Sequence, residues 1–264
     1  MEFSTLEVSL DAGVATIALN RPDKANAMSE PMWYEIERAM EWLDSTPEAR
    51  VGVLIGRGKY FTSGIDLAML MGLGPQIEDD CDGRRREKLR RLILKLQDTL
   101  SSIERCRKPV LAAVHGACIG GGIDLITACD MRYCSANAYF TVKEIDVGTL
   151  QRQPRQIGEG MARERAYTGR KDDGTEAQHL RLVNRCFESP EALQAGVMDI
   201  ARTIAAKSPL SIRGCKEMIT YGRDHSVADG LNYIATWNAA MLMSKDLFEA
   251  GAANMQKRDP VFKD

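Results

Sequence analysis

Two glycine-containing loops, each directly after a short apolar run, carry the residue types in this 264-residue sequence that could do chemistry. The first loop spans residues 60–67, and the second spans residues 116–124 with three successive glycines at 120–122. Backbone N–H groups from two such loops can point at one carbonyl oxygen and stabilise the negative charge that develops on it. Glycines let a substrate approach the backbone without obstruction by a Cβ atom. Together the loops predict an oxyanion hole, although each alone is also compatible with a simple tight turn.

Two carboxylates follow the second loop. Asp124 lies in the first turn of the helix that this loop opens, and Glu144 follows two further short apolar segments. Beside an oxyanion hole, a carboxylate can remove or return a proton α to a thioester carbonyl. The alternatives remain open: Asp124 could only complement the helix dipole, and Glu144 could be a solvated loop acid.

Strand-type and helix-type segments alternate through the first two thirds of the chain, which predicts an α/β fold with parallel strands. The predicted strands are 6–10 and 14–19, joined by a turn, and then 51–55, 109–114, 131–134 and 138–140. The predicted helices are 29–43 and 84–103, another that starts near residue 120, and a mostly helical region after about residue 151 that includes 190–255. Ligands bind where parallel strands end, so the loops after 51–55 and 109–114 are expected to meet there.

Composition excludes several classes of function. The sequence has 35 basic and 37 acidic residues and a net charge of -2, so we expect neither a nucleic-acid partner nor an anionic membrane partner. No apolar run approaches the ~20 residues that span a bilayer. Seven cysteines without a CxxC pair, with only three histidines, indicate a reduced chain without a metal site. Neither end carries a recognised address, from which we expect a cytoplasmic location.

The sequence resembles the crotonase, or enoyl-CoA hydratase/isomerase, superfamily over nearly its whole length. The similar blocks are residues 20–22 with 26–27, residues 61–67 and residues 109–130. Residues 115–125, 142–152 and 223–228 are most similar to its dienoyl-CoA isomerase branch. The resemblance implies a crotonase-like ββα spiral core over residues 1–190 that contains the acyl-CoA site. It also implies a helical oligomerisation region over residues 191–264, in a homotrimer or homohexamer.

The resemblance also implies roles for individual residues. The N–H groups of Ile65 and Gly121 would hold the thioester oxygen, Glu144 would be the catalytic acid/base, and Asp124 would be the second active-site carboxylate. The residues expected to line the acyl-CoA site are Ser63, Gly64, Asp66 and Leu67, with Lys24, Ala25 and Ala27 at the adenine end. The CoA arrives as part of the fatty acyl substrate, so we expect no separate cofactor and no metal.

The implied activity is conversion of a 3,5-dienoyl-CoA to the conjugated 2,4-dienoyl-CoA in fatty acid β-oxidation. Dienoyl-CoA isomerases carry a second proton-transfer Asp in a loop after the Glu144 block, yet here Gly148 is followed directly by Thr149. Either the protein lacks this loop or the sequence omits it, and the abrupt join favours omission. With Glu144 alone, enoyl-CoA hydration or a delta(3)-delta(2)-enoyl-CoA isomerisation is the alternative. The other alternative is that the protein is a non-catalytic homologue that binds acyl-CoA.

Overall fold

The structure, a computed structural model, describes residues 2–147 and 157–264, and two sheets organise this part of the chain. Its strands are β1 (Leu6–Asp11), β2 (Val14–Leu19), β3 (Val51–Gly56), β4 (Val110–Val114), β5 (Ala117–Ile119), β6 (Met131–Ser135), β7 (Tyr139–Thr141), β8 (Lys171–Asp173) and β9 (Arg185–Phe187). The larger sheet has the order β1-β2-β3-β4-β6-β9, and the smaller one has the order β5-β7-β8. In the larger sheet, β1 is antiparallel to β2 and all later pairs are parallel, as the alternation of segments predicts.

Helices surround both sheets. They are α1 (Glu30–Ser45), α2 (Leu67–Met71), α3 (Leu73–Ile77), α4 (Asp82–Arg105), α5 (Gly121–Thr127), α6 (Glu144–Val147), α7 (Glu159–Thr168), α8 (Gly174–His179), α9 (Pro190–Ala205), α10 (Pro209–Tyr221), α11 (Val227–Met241) and α12 (Lys245–Gln256). A short 3₁₀ turn, Pro22–Lys24, follows β2.

Local sequence explains the first elements. The hairpin of β1 and β2 closes through Ala12 and Gly13, which both have positive φ, 46° and 81°. Such a two-residue turn matches the twist of the flanking strands. β3 is a nearly continuous apolar run and is almost entirely buried, as is typical of a central parallel strand.

The core lies on both faces of the larger sheet. Alternate side chains of each strand point to opposite faces. One face packs with the apolar stripe of α1, including Met32, Ile36 and Leu43, and with the end of α4. The other face packs against α9 through residues such as Leu193 and Val197. The carboxyl ends of β3 and β4 are thereby fixed side by side, and both glycine loops leave from them.

The structure corrects several predicted boundaries and segments. The mostly helical interpretation of the chain after residue 151 is wrong in detail, because β8 and β9 lie there. Residues 116–124, interpreted as a loop opening a helix, contain the short strand β5. The polar stretch after β3 contains two five-residue helices, α2 and α3. These elements are too short to produce a periodic hydrophobic signal.

The last three helices carry many exposed apolar side chains. They are Ile219, Val227, Leu231, Ile234, Met241, Leu247, Phe248 and Met255, and Leu242 and Met243 are exposed in the connection between α11 and α12. An open cavity of about 550 Å³ lies between α10, α11 and α12. The division of the chain at residues 190 and 191 stays a prediction. Within the described ranges, no helix is both long enough and apolar enough to cross a membrane.

Candidate active site

Three segments far apart in sequence meet at the carboxyl ends of β3 and β4. The segment after β2 is joined to the first glycine loop by three backbone hydrogen bonds. Ser63 N donates to Ala25 O over 2.9 Å, Met28 N to Gly64 O over 2.8 Å, and Asp66 N to Met28 O over 3.1 Å. The first glycine loop is therefore held in place by the segment that contains Lys24, Ala25 and Ala27.

The first glycine loop is also joined to the second. Thr62 N donates to Ala117 O over 2.9 Å, and Ile119 N donates to Thr62 O over 3.2 Å. The Thr62 hydroxyl donates to Asn26 O over 2.7 Å and accepts from Gly64 N over 3.1 Å. Because Thr62 is fully buried, these bonds are sheltered from competition by water.

The amides of Ile65 and Gly121 lie close together, as the predicted oxyanion hole requires. The bridge between Met28 and Ile65 uses the carbonyl of Gly64 and the amide of Asp66, so the amide of Ile65 points away from Met28. A Cβ atom added to Gly121 would lie 3.7 Å from the Ile65 nitrogen. Gly64 has a φ of +88°, and a Cβ there would lie 2.6 Å from Ile119 O. Glycine at position 64 is therefore what allows the two loops to approach each other. The oxyanion role of Ile65 and Gly121 stays a prediction that this geometry fits.

Glu144 points its carboxylate at the second glycine loop. A Cβ atom added to Gly120 would lie only 3.0 Å from Glu144 Oε1. Gly120 has φ 53° and ψ -121°, a conformation that residues with a Cβ atom rarely adopt. Burial raises the pKa of the Glu144 carboxyl, and backbone hydrogen bonds from Glu144 and Lys143 oppose that rise. A half-buried carboxyl with a raised pKa beside two converging amides is suited to proton transfer.

Asp124 occupies the same short helix as Gly121. The two residues are three positions apart in α5, so they share one face of the helix. Asp124 is half-buried, whereas the rest of α5 is buried. The role of Asp124 in the active site stays a prediction.

Asp66 makes contacts that hold the loops together. Its carboxylate accepts from the Arg21 guanidinium over 2.9 Å and from Ala68 N over 3.0 Å, and it caps the start of α2. The hydrogen bond from Arg21 lowers the pKa of Asp66. Arg21 also donates to Ala27 O over 2.6 Å. Arg21 is a positioning residue that the sequence analysis missed, although it lies inside one of the blocks used there.

The remaining predicted substrate-binding residues differ in exposure. Leu67 is 62% exposed, Lys24 is exposed, and Ser63 is half-buried. Their proposed contacts with substrate stay predictions. The predicted join from Gly148 to Arg152, where the second proton-transfer Asp is expected, lies outside the described residues. Among the residues that the structure does describe, no group of three or more His, Cys, Asp or Glu side chains could hold a metal ion.

Comparison with known proteins identifies the family. Residues 9–264 match the family model described as enoyl-CoA hydratase/isomerase. The chain is 47% identical to a peroxisomal delta(3,5)-delta(2,4)-dienoyl-CoA isomerase of Arabidopsis thaliana, over 98% of this chain and 97% of the relative. It is 42% identical to a mitochondrial protein of the same name from Mus musculus, over 93% of this chain and 77% of the relative.

These relatives correct the localisation that the sequence analysis predicted. They are named as peroxisomal and mitochondrial proteins, so the expectation of a cytoplasmic location is wrong. The inference failed because the lack of a recognised address at either end of a sequence does not define a compartment.

A solved structure confirms the expected fold. An enoyl-CoA hydratase from Bacillus anthracis superposes with a TM-score of 0.88 at 29% identity, covering 98% of this chain and 99% of that one. The crotonase-like α/β fold, with its helical C-terminal region, is therefore confirmed. The family match over nearly all of the sequence leads to the same conclusion: the chain belongs to the enoyl-CoA hydratase/isomerase family.

Proposed function

We propose that this protein isomerises 3,5-dienoyl-CoA thioesters to the conjugated 2,4-dienoyl-CoA thioesters. The observation that carries the proposal is the carboxylate of Glu144 beside Gly120, where the amides of Ile65 and Gly121 converge. The names of the relatives at 42% and 47% identity support the same reaction. The names of these relatives support an acyl-CoA substrate. The proposed substrate brings its own CoA, and fatty acid β-oxidation is the proposed source of such thioesters.

The reaction moves one proton from C2 to C6 of the acyl chain. Loss of the C2 proton puts negative charge on the thioester oxygen, where the amides of Ile65 and Gly121 stabilise the enolate. The double bonds at C3 and C5 shift to C2 and C4, and a proton is added at C6. Glu144 exchanges a proton at the distal end of the diene, and Asp124 polarises or orients the substrate. Since C2 and C6 lie far apart, the proton lost from C2 goes to a second acid/base group at the proximal end, and Glu144 supplies the proton added at C6.

The direct test is to incubate purified protein with a 3,5-dienoyl-CoA and follow the ultraviolet absorbance of the conjugated product. Glu144→Gln is expected to lower kcat by about 10²–10⁴-fold, the usual contribution of a general acid or base. Glu159→Gln is the matched control, because that exposed carboxylate pairs with Arg163 on the surface of α7. Wild-type protein that does not bring the diene into conjugation with the thioester carbonyl would refute the proposal.

Hydration is the second candidate, favoured by the close superposition on an enoyl-CoA hydratase. It predicts that a 2-enoyl-CoA gains the mass of one water, whereas isomerisation leaves the mass unchanged. Mass spectrometry of the product from each thioester separates the two reactions. A single shifted double bond in a 3-enoyl-CoA indicates the delta(3)-delta(2) activity, and binding without turnover indicates a non-catalytic homologue.

The exposed apolar side chains of α10, α11 and α12 support assembly with further copies of this chain. Several of these side chains line one open cavity, and clustered exposed apolar side chains are typical of a protein interface. A homotrimer or a homohexamer is therefore the proposed state. Light scattering coupled to size-exclusion chromatography measures it, and a monomeric mass would overturn the proposal.

A further inference from the structure

A fully buried ion pair lies behind the site, between α7 and the smaller sheet. The side chains of Arg165 and Asp172 are only 2% and 0% exposed, and Arg165 Nε lies 2.5 Å from Asp172 Oδ2. Arg170 Nη1 is 2.5 Å from the other carboxylate oxygen. The Arg165 and Asp172 atoms are close enough for an ion pair, but they form no well-aligned hydrogen bond. Burial lowers the pKa of Arg165 and raises that of Asp172.

Stability does not explain this pair. Removing two charges from water costs more than their attraction returns unless hydrogen bonds satisfy them well, and an apolar pair of similar size is often at least as stable. Within the part of the chain that the structure describes, none of the three guanidinium nitrogens of Arg165 makes a well-aligned hydrogen bond. A buried ionic group of this kind can instead specify one packing arrangement over its competitors.

The strand that contains Asp172, β8, has no apolar residue that fixes its register. β8 consists of Lys171, Asp172 and Asp173, and only Asp172 is buried. Register is normally fixed because apolar residues must face the core, and a slip of one residue reverses every side chain. β8 has no apolar residue to perform this role. The ion pair with Arg165 favours a carboxylate at the inward-facing position.

Both possible slips of one residue are penalised. One slip brings Lys171 beneath the sheet, next to the cation of Arg165. The other brings Asp173 there and removes it from the start of α8, where its carboxylate accepts from Glu176 N over 2.8 Å. In the observed register Asp172 lies opposite Phe140, which lies opposite Cys118, and all three are fully buried.

The register of β8 is coupled to the site through β7. Thr141, the last residue of β7, donates from its hydroxyl to Gly169 O over 2.8 Å, at the corner between α7 and β8. Its carbonyl accepts from Gly120 N over 3.0 Å. Glu144 follows three residues later. Thr141 therefore connects the α7–β8 corner to both Gly120 and Glu144.

We propose that the Arg165–Asp172 pair is a register lock: it fixes β8 on β7 and so positions the Glu144 carboxylate beside Gly120. Arg165 and Asp172 are positioning residues for the isomerisation, so this inference rests on the proposed function. A slip of one residue shifts a strand by about 3.3 Å. Displacement of a catalytic group by even about 1 Å can cost about 10²-fold in rate.

Three variants test the lock. Arg165→Met and Asp172→Asn each leave one charge of the pair buried, and each is expected to lower kcat about 10- to 100-fold with little change in KM. Both should also shift the acidic limb of the pH profile of kcat/KM, because the surroundings of Glu144 change. Arg165→Met/Asp172→Leu removes both charges and supplies an apolar inward residue, so we expect kcat close to that of the wild type. Arg163→Met, at an exposed position of the same helix, is the matched control.

Hydrogen exchange provides a readout that does not depend on turnover. In the two single variants, the amides of residues 139–141 and 171–173 should exchange faster than in wild type, and in the double variant they should be protected again. If the single variants melt at a lower temperature but keep the wild-type kcat and pH profile, the pair contributes only to stability, and the proposed register lock is refuted. A double variant as impaired as the single ones would also overturn it. Inactive wild-type protein refutes the proposed function, whereas the exchange experiment still decides the register.

Discussion

Gly120→Ala is the substitution that most directly tests the geometry of the candidate site. Gly120 has φ 53° and ψ -121°, which an L-residue with a Cβ atom adopts only under strain. The added Cβ would also lie 3.0 Å from Oε1 of Glu144. The substitution therefore perturbs the backbone of the second glycine loop and the carboxylate that faces it at the same time.

The two effects have different magnitudes and different readouts. Backbone strain in a sparsely populated region costs about 1–3 kcal/mol. For a chain of this size each kcal/mol lowers the melting temperature by about 2–4 °C. The carboxylate must move by a few tenths of an ångström to restore ordinary contact with the new methyl group. Since a 1 Å misplacement costs about 10²-fold, we expect kcat to fall by about tenfold.

The assay is turnover of a 3,5-dienoyl-CoA at a temperature where the variant is fully folded, together with thermal unfolding. Gly160→Ala is the matched control, because a Cβ there meets nothing within 4 Å and Gly160 lies inside α7. That control should keep its activity and gain slight stability from the better helix former. A Gly120→Ala protein that melts lower but keeps the wild-type kcat would refute the catalytic placement of Glu144.

Three further substitutions test the electrostatics. Glu144→Gln should raise the free energy of unfolding that urea titration measures at pH 7. Because burial raises the pKa of Glu144 in the folded protein, its ionisation destabilises the fold as the pH rises from the ordinary pKa of 4.5 to the pKa in the folded protein. Equal stability of the Glu144→Gln variant and the wild type at pH 7 would contradict this prediction. Asp66→Asn should lower the free energy of unfolding by up to about 1 kcal/mol at neutral pH. The difference in stability between variant and wild type should disappear as the pH falls through the pKa of Asp66 in the folded protein, which Arg21 lowers. A difference that persists below that pKa in acid titrations would count against this ion pair. Lys216→Met should lower the free energy of unfolding by about 1.5–3 kcal/mol, because the buried ammonium of Lys216 donates to Asp130 over 2.9 Å and to two backbone carbonyls. An unchanged melting temperature would refute the stabilising role of these hydrogen bonds.

The sequence predicts the parts of the fold that depend on local signals. The hairpin follows from a turn that ends in Gly13, and β3 follows from an apolar run bounded by polar residues. β8 could not be found, because its three residues are all charged and so short a segment gives no hydrophobic period. The short helices α2 and α3 were missed because five residues give no reliable period.

The candidate site was only partly accessible from sequence. The glycine loops and their place after two strands follow from the pattern, and the structure brings Ile65 and Gly121 together as expected. The catalytic role of Glu144 came from the resemblance, and its contact with Gly120 was not predicted, since no spacing rule joins residues this far apart. The contact of Arg21 with Asp66 spans 45 positions and left no local signal at all.

The arrangement separates two tasks between backbone and side chains. In the proposed mechanism the thioester oxygen is bound by the amides of Ile65 and Gly121, whose positions depend on hydrogen bonds between three segments and on the glycine conformations at 64 and 120. Proton transfer is assigned to a carboxyl whose pKa burial raises, at a cost in stability that a substitution by Gln should recover. Backbone donors cannot be removed by changing a side chain, so substitutions in the glycine loops should act by displacing them. Loss of function from Glu144→Gln should instead leave the loops intact, and the two kinds of variant should differ in their affinity for an unreactive acyl-CoA. Weak binding is expected for Gly64→Ala, whose Cβ would meet Ile119 O at 2.6 Å, and wild-type binding is expected for Glu144→Gln.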